Sequence, residues 1–181
     1  MITKRKILAQ GDRDGACFLY SLANAATALS QKDVTQAKWV KSIRALPFDM
    51  SDFIAGRGTE KLDPCSLYLE SFSHSFVSAL NMDLEICWKE NIASVKKLKN
   101  LINSNQVFIL SIDGDSHWVT VVDVEGDTVF IACSAEALNG VQPYSEKESP
   151  DLKRIYNKTV SFSELGVENG FGLLIFVEKD E

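Results

Sequence analysis

Histidine is scarce in this chain: two in 181 residues, His74 and His117. A histidine-rich metal centre is therefore not expected, and any imidazole chemistry must run through one of these two side chains. The four cysteines, at positions 17, 65, 87 and 133, include no C-x-x-C pair. Neither a zinc knuckle nor a dithiol redox couple is expected from them. Long apolar runs are missing too, and nothing approaches the ~20 residues that span a bilayer. After Lys4-Arg5-Lys6 only Ile7-Leu8-Ala9 precede Gln10, too short for the apolar region of a signal peptide. A basic excess is also lacking. Lys and Arg number 19 against 25 Asp and Glu, a net charge of -6, which argues against a nucleic-acid-binding face. There is no internal repeat, low-complexity tract or linker composition. These absences together lead us to expect one cytoplasmic domain over residues 1–181 with free thiols, no metal or other cofactor, and no nucleic-acid or membrane partner. They leave the oligomeric state open.

What is present concentrates first in Gln10-Gly11-Asp12-Arg13-Asp14-Gly15-Ala16-Cys17-Phe18-Leu19-Tyr20-Ser21-Leu22. Gly11 and Gly15, with aspartates between them, are turn chemistry. Phe18, Leu22, Ala25 and Leu29 then recur at helical spacing. Cys17 thus falls in the first turn of a helix, where unpaired backbone N–H groups favour a thiolate. Gln10 lies seven residues upstream, its amide N–H able to reach an oxyanion forming beside the sulfur.

Further along, Asp33 with Gln36 reads as a cap for a helix of about 34–46, with Trp39, Val40, Ile43 and Leu46 inward and Pro47 as its stop. A polar loop follows over 48–62. Asp63-Pro64 starts a helix whose buried stripe is Leu69, Phe72, Phe76 and Leu80, with His74 at its surface. The period then falls to two at Met82, Leu84, Ile86 and Trp88, a strand with one wet face. A helix over 91–103 and strands over 107–112, 116–124, 127–133 and 171–178 complete the reading, with 137–158 as an irregular surface loop and one helical turn at 161–165. Helices first and an antiparallel sheet last is an α+β arrangement.

Ser116-His117-Trp118-Val119-Thr120-Val121-Val122 sets the second histidine at the start of a strand, the rigid seat a general base needs. Its orienting partner should come from the next strand. Asp123 lies six residues along the same strand, ~20 Å away at ~3.3 Å per residue, and cannot reach. If Glu125-Gly126 makes the hairpin turn, His117 faces Ser134; if Gly126-Asp127 does, it faces Glu136. The expectation is that Ser134, or the backbone around Cys133-Ser134, accepts a hydrogen bond from His117.

A Gln, a glycine-containing loop, a Cys opening an apolar helix and, later, a His-aromatic pair at a strand start resemble the papain-like cysteine peptidases. The likeness is greatest to the small bacterial C39-like members. Asp14-Gly15-Ala16-Cys17-Phe18 also resembles the nucleophile motif of OTU-type deubiquitinases. The chain departs from the C39-like pattern in two places: Gln10 to Cys17 is one residue longer, and Phe18 stands where a Gly often follows the Cys. The resemblance implies a papain-like fold, N-terminal helices on a C-terminal antiparallel sheet. It further implies a cysteine hydrolase of peptide or protein substrates, with Cys17 as nucleophile, His117 as base and acid, and Gln10 with the Cys17 backbone N–H as oxyanion hole. Such a family usually offers an Asp or Asn opposite the histidine, where this chain reads Ile131-Ala132-Cys133-Ser134-Ala135-Glu136. A deamidase, transamidase or OTU-like isopeptidase would use the same thioester chemistry. A papain-like module that binds without turnover is the alternative from a different class.

Overall fold

The computed structural model describes residues 6–10, 16–30, 32–46, 66–138, 145–146 and 154–177. The Gly11–Gly15 loop, the 48–62 loop, the Asp63-Pro64 helix start and Cys65 lie outside these residues.

Helix α1 (Cys17–Ser30) is the centre of the packing. From Cys17 to Ala28 only Tyr20 escapes full burial, so the helix is covered all round rather than along one stripe. Its polar positions are small enough to be buried with it: Ser21, Asn24 and Thr27. Helix α2 (Gln36–Arg44) is shorter than its apolar spacing predicts, and its stripe is only half covered. Thr35, not Asp33, caps it, accepting from the Lys38 N–H at 3.3 Å. Asp33 instead accepts from the Lys6 N–H at 2.8 Å and so ties down the N-terminal arm. The local cap signal lost to a tertiary one. Helix α3 (Ser66–Ala79) buries Leu69, Phe72 and Phe76 and leaves His74 exposed, as its periodicity requires.

The sheet is antiparallel throughout, in the order β1-β8-β2-β3-β4-β7. Its strands are β1 (Glu85–Lys89), β2 (Gln106–Ile112), β3 (His117–Glu125), β4 (Thr128–Ala132), β7 (Lys158–Ser161) and β8 (Gly172–Phe176). Helix α4 (Val95–Asn100), capped by Ser94, lies between β1 and β2 in the chain. One sheet face, with Ile109, Trp118, Val122 and Ile175, packs on α1; the other carries Phe108, Val119, Val121 and Ile131. Gly172 is the close-contact point of the sheet. A Cβ built there would sit 2.0 Å from the Ile109 carbonyl oxygen.

The described residues of the 137–158 stretch include regular elements where a loop is expected. Helix α5 (Ser134–Leu138) follows β4 directly, and β5 (Ser145–Glu146) pairs with β6 (Ile155–Tyr156) ahead of β7. Strands this short and this polar carry no period of two. They form because β4 and each other offer partners for their backbone groups.

The β3–β4 hairpin turns at Gly126-Asp127, with Gly126 at φ +60° and Glu125 opposite Thr128. Val121 then faces Ile131 while Asp123 faces Phe130, so Val122 is the extra residue of a β-bulge. Arg154, buried, fills the gap: one guanidinium nitrogen donates to the Val122 and Gln106 carbonyls at 3.0 Å each. The other donates to the Asn103 and Ser104 carbonyls at 2.7 and 2.8 Å. Among the described residues no helix is long and apolar enough to cross a membrane.

Candidate active site

Cys17 is the first residue of α1 and His117 the first of β3. Their immediate successors touch: the Phe18 and Trp118 rings meet edge to face at 4.9 Å between centroids. One turn into α1, Ser21 stitches helix to strand twice. Its hydroxyl donates to the Trp118 carbonyl at 3.0 Å, and its own carbonyl accepts from the Thr120 hydroxyl at 2.8 Å. Both bonds are buried, where geometry is tightly held. The helix start and the strand start are thereby brought to the same end of the molecule. Sequence reasoning passed over Ser21 and Thr120, although a hydroxyl inside each apolar run (Leu19-Tyr20-Ser21-Leu22 and Val119-Thr120-Val121) was the available signal.

Gln10 comes to this end on the N-terminal arm. The Leu8 N–H donates to the Asn24 side chain at 2.8 Å, and the Gln10 N–H donates to the Ser134 carbonyl at 3.3 Å. The Ser134 hydroxyl, buried, donates to Gln10 Oε1 at 2.7 Å. With its oxygen engaged, the amide leaves its NH₂ as the free donor end.

Ser134 therefore serves Gln10 and not His117. The ring of His117 is met instead by a thiol, Nε2 lying 3.5 Å from Cys133 Sγ. The shifted hairpin and the Val122 bulge account for the difference. Together they set a register that falls between the two alternatives counted from the turn, and the chain leaves the strand after Ala132. Cys133 sits where strand gives way to helix α5, its backbone gripped by Asn157. The Cys133 N–H donates to Asn157 Oδ1 at 2.8 Å, and Asn157 Nδ2 donates to the Cys133 carbonyl at 2.9 Å. Glu136, the other candidate, pairs with Lys158 at 3.1 Å.

Burial pulls the His117 imidazole below its ordinary value. Asp113 opposes this, Lys158 adds to it, and Glu136 opposes it. Burial likewise pushes the Cys133 thiol up, and the nearby backbone N–H groups of Glu136 and Ala135 oppose this. Both shifts favour neutral groups near neutral pH: a free-base imidazole resting on a thiol. No group of three or more metal-ligating side chains occurs among the described residues.

No protein-family model matches the chain, and no curated protein matches it by sequence. Solved structures do. One is a double glycine motif protease from an AMS/PCAT transporter, in complex with the leader peptide. It is 12% identical with a TM-score of 0.50, over 93% of this chain and 88% of that one. Another is the peptidase domain of Streptococcus ComA, a bi-functional ABC transporter involved in a quorum-sensing pathway. It is 14% identical with a TM-score of 0.52, over 96% and 98%. The α+β arrangement of helices packed on a six-stranded antiparallel sheet is thus the fold of these two peptidase domains.

Proposed function

We propose that this chain is a papain-like cysteine peptidase in which Cys17 is the nucleophile and His117 the general base and acid. The observation that carries this reading is the Phe18–Trp118 contact with the Ser21 stitches behind it, which hold the first turn of α1 against the start of β3. His117 Nδ1 takes the Cys17 proton as sulfur attacks the carbonyl carbon of the substrate. The Gln10 amide, aimed by Ser134, and the Cys17 backbone N–H receive the oxyanion. The imidazolium then returns the proton to the leaving amine, and water hydrolyses the thioester by the same path.

Peptide is the substrate class best supported. Trp118, Phe171 and Trp88 form a row of rings, 5.7 and 5.5 Å apart, beginning beside His117. Phe171 and Trp88 are only half covered, so apolar side chains of an extended peptide have a surface to rest on. A leader peptide is bound by one of the neighbours in fold. A binding module without turnover is the second reading, favoured by the thiol standing where a carboxylate would hold the imidazole. Digestion of a peptide library, read by mass spectrometry, separates the two. Cleavage by the wild type that is lost in Cys17→Ala and in His117→Ala is the expected result. Cleavage that survives Cys17→Ala would overturn the assignment.

A further inference from the structure

We infer that Cys133 is the positioning residue of His117, its sulfur holding Nε2 so that Nδ1 is the nitrogen left to exchange a proton with Cys17. The inference rests on the peptidase reading for its catalytic meaning and on the structure for its geometry. A base in such a site needs a third group that fixes its ring and tautomer. Among the described residues, Cys133 Sγ meets the His117 ring, 3.5 Å from Nε2.

Three features set this sulfur apart from a core cysteine that merely lies nearby. Its backbone is clamped on both sides by the Asn157 amide. The Ala135 and Glu136 backbone N–H groups at the start of α5 lie near the sulfur and favour negative charge on it. It is also shielded from solvent, at 3% exposure. The charged groups that act on the ring are Asp113, Glu136 and Lys158, and the last two are paired with each other.

With Nε2–H donating to Cys133, Nδ1 carries the lone pair and accepts the Cys17 proton; Cys133 neither gains nor loses one. A neutral sulfur stabilises the resulting imidazolium less than a carboxylate does. The Cys17 thiolate therefore forms at higher pH than it would beside an aspartate. A Cys133→Asp substitution should strengthen the pair.

The test follows the His117 ring by nitrogen NMR through a pH titration, and Cys17 by iodoacetamide labelling, in the wild type, Cys133→Asp, Cys133→Ser and Cys133→Ala. Only two histidines give ring signals, and exposed His74 serves as the internal control. In Cys133→Asp the His117 titration should move to higher pH, and Cys17 labelling at about pH 6 should rise on the order of tenfold. In Cys133→Ala the ring should lose its single tautomer, and Cys133→Ser should restore it. Should the aspartate variant fail to fold, the Ser and Ala variants decide through the tautomer signal. An His117 titration and tautomer unchanged across all variants overturns the inference, even if Cys17 labelling still depends on His117. The converse outcome is a His117 ring that follows residue 133 while Cys17 labels like Cys87 throughout. It upholds the positioning pair and overturns the peptidase reading instead.

Discussion

Gln10 and Ser134 show how a single hydroxyl can decide the usefulness of an amide. The Ser134 hydroxyl donates to Gln10 Oε1, which turns the NH₂ end of the same amide outward as a donor. Gln10→Ala should lower kcat on the order of 10²-fold, the cost of one oxyanion donor. Ser134→Ala leaves the donor present but unaimed, so kcat should fall by a smaller factor with little change in KM. Kinetics on any cleaved library peptide measure both. A drop in Ser134→Ala as deep as that in Gln10→Ala would mean that Ser134 does more than aim the amide. Cys17, His117 and Gln10 stand out as candidates in the sequence because each chemistry needs its residue type at an element start or in a loop before one. Cys133 was not readable in the same way. Naming it as the ring's neighbour requires the hairpin register, and a bulge of one residue moves that register.

At the level of elements, the bulge at Val122 connects fold to site. It sets which β4 residue arrives opposite His117, and Arg154 holds it by satisfying the Val122 carbonyl together with three others. A lysine can present one compact charge but not a planar fork, so Arg154→Lys leaves the buried Val122 carbonyl or its half-buried neighbours without their donor. It should destabilise the fold by about 2 kcal/mol or more in denaturant titration. A loss below about 0.5 kcal/mol, the level of an ordinary surface change, would show that the carbonyls find other partners. Helices α1 and α3 and strands β2, β3 and β8 were legible because their apolar residues repeat at the period of the element. Arg154 and Asn157 fall in a polar stretch read as a loop. Their order comes from partners more than 20 residues away, as with Asn157 and Cys133. No local pattern carries that information.

Across the whole molecule, every layer converges on the end where α1 and β3 begin. The helix is buried on all sides, the sheet presents Trp118 to it, and the N-terminal arm straps Gln10 across to Ser134. That convergence has a direct chemical consequence. Cys17 is 9% exposed while Cys87 is more open, so accessibility alone makes Cys87 the faster thiol. The most direct test is the rate of iodoacetamide labelling at each cysteine, resolved by peptide mapping from about pH 5 to 9, in the wild type and in His117→Ala. The account predicts that near about pH 6 Cys17 labels on the order of tenfold faster than Cys87 despite its burial, and that His117→Ala abolishes the advantage. A Cys17 that labels more slowly than Cys87, with a profile that His117→Ala leaves unmoved, would contradict it.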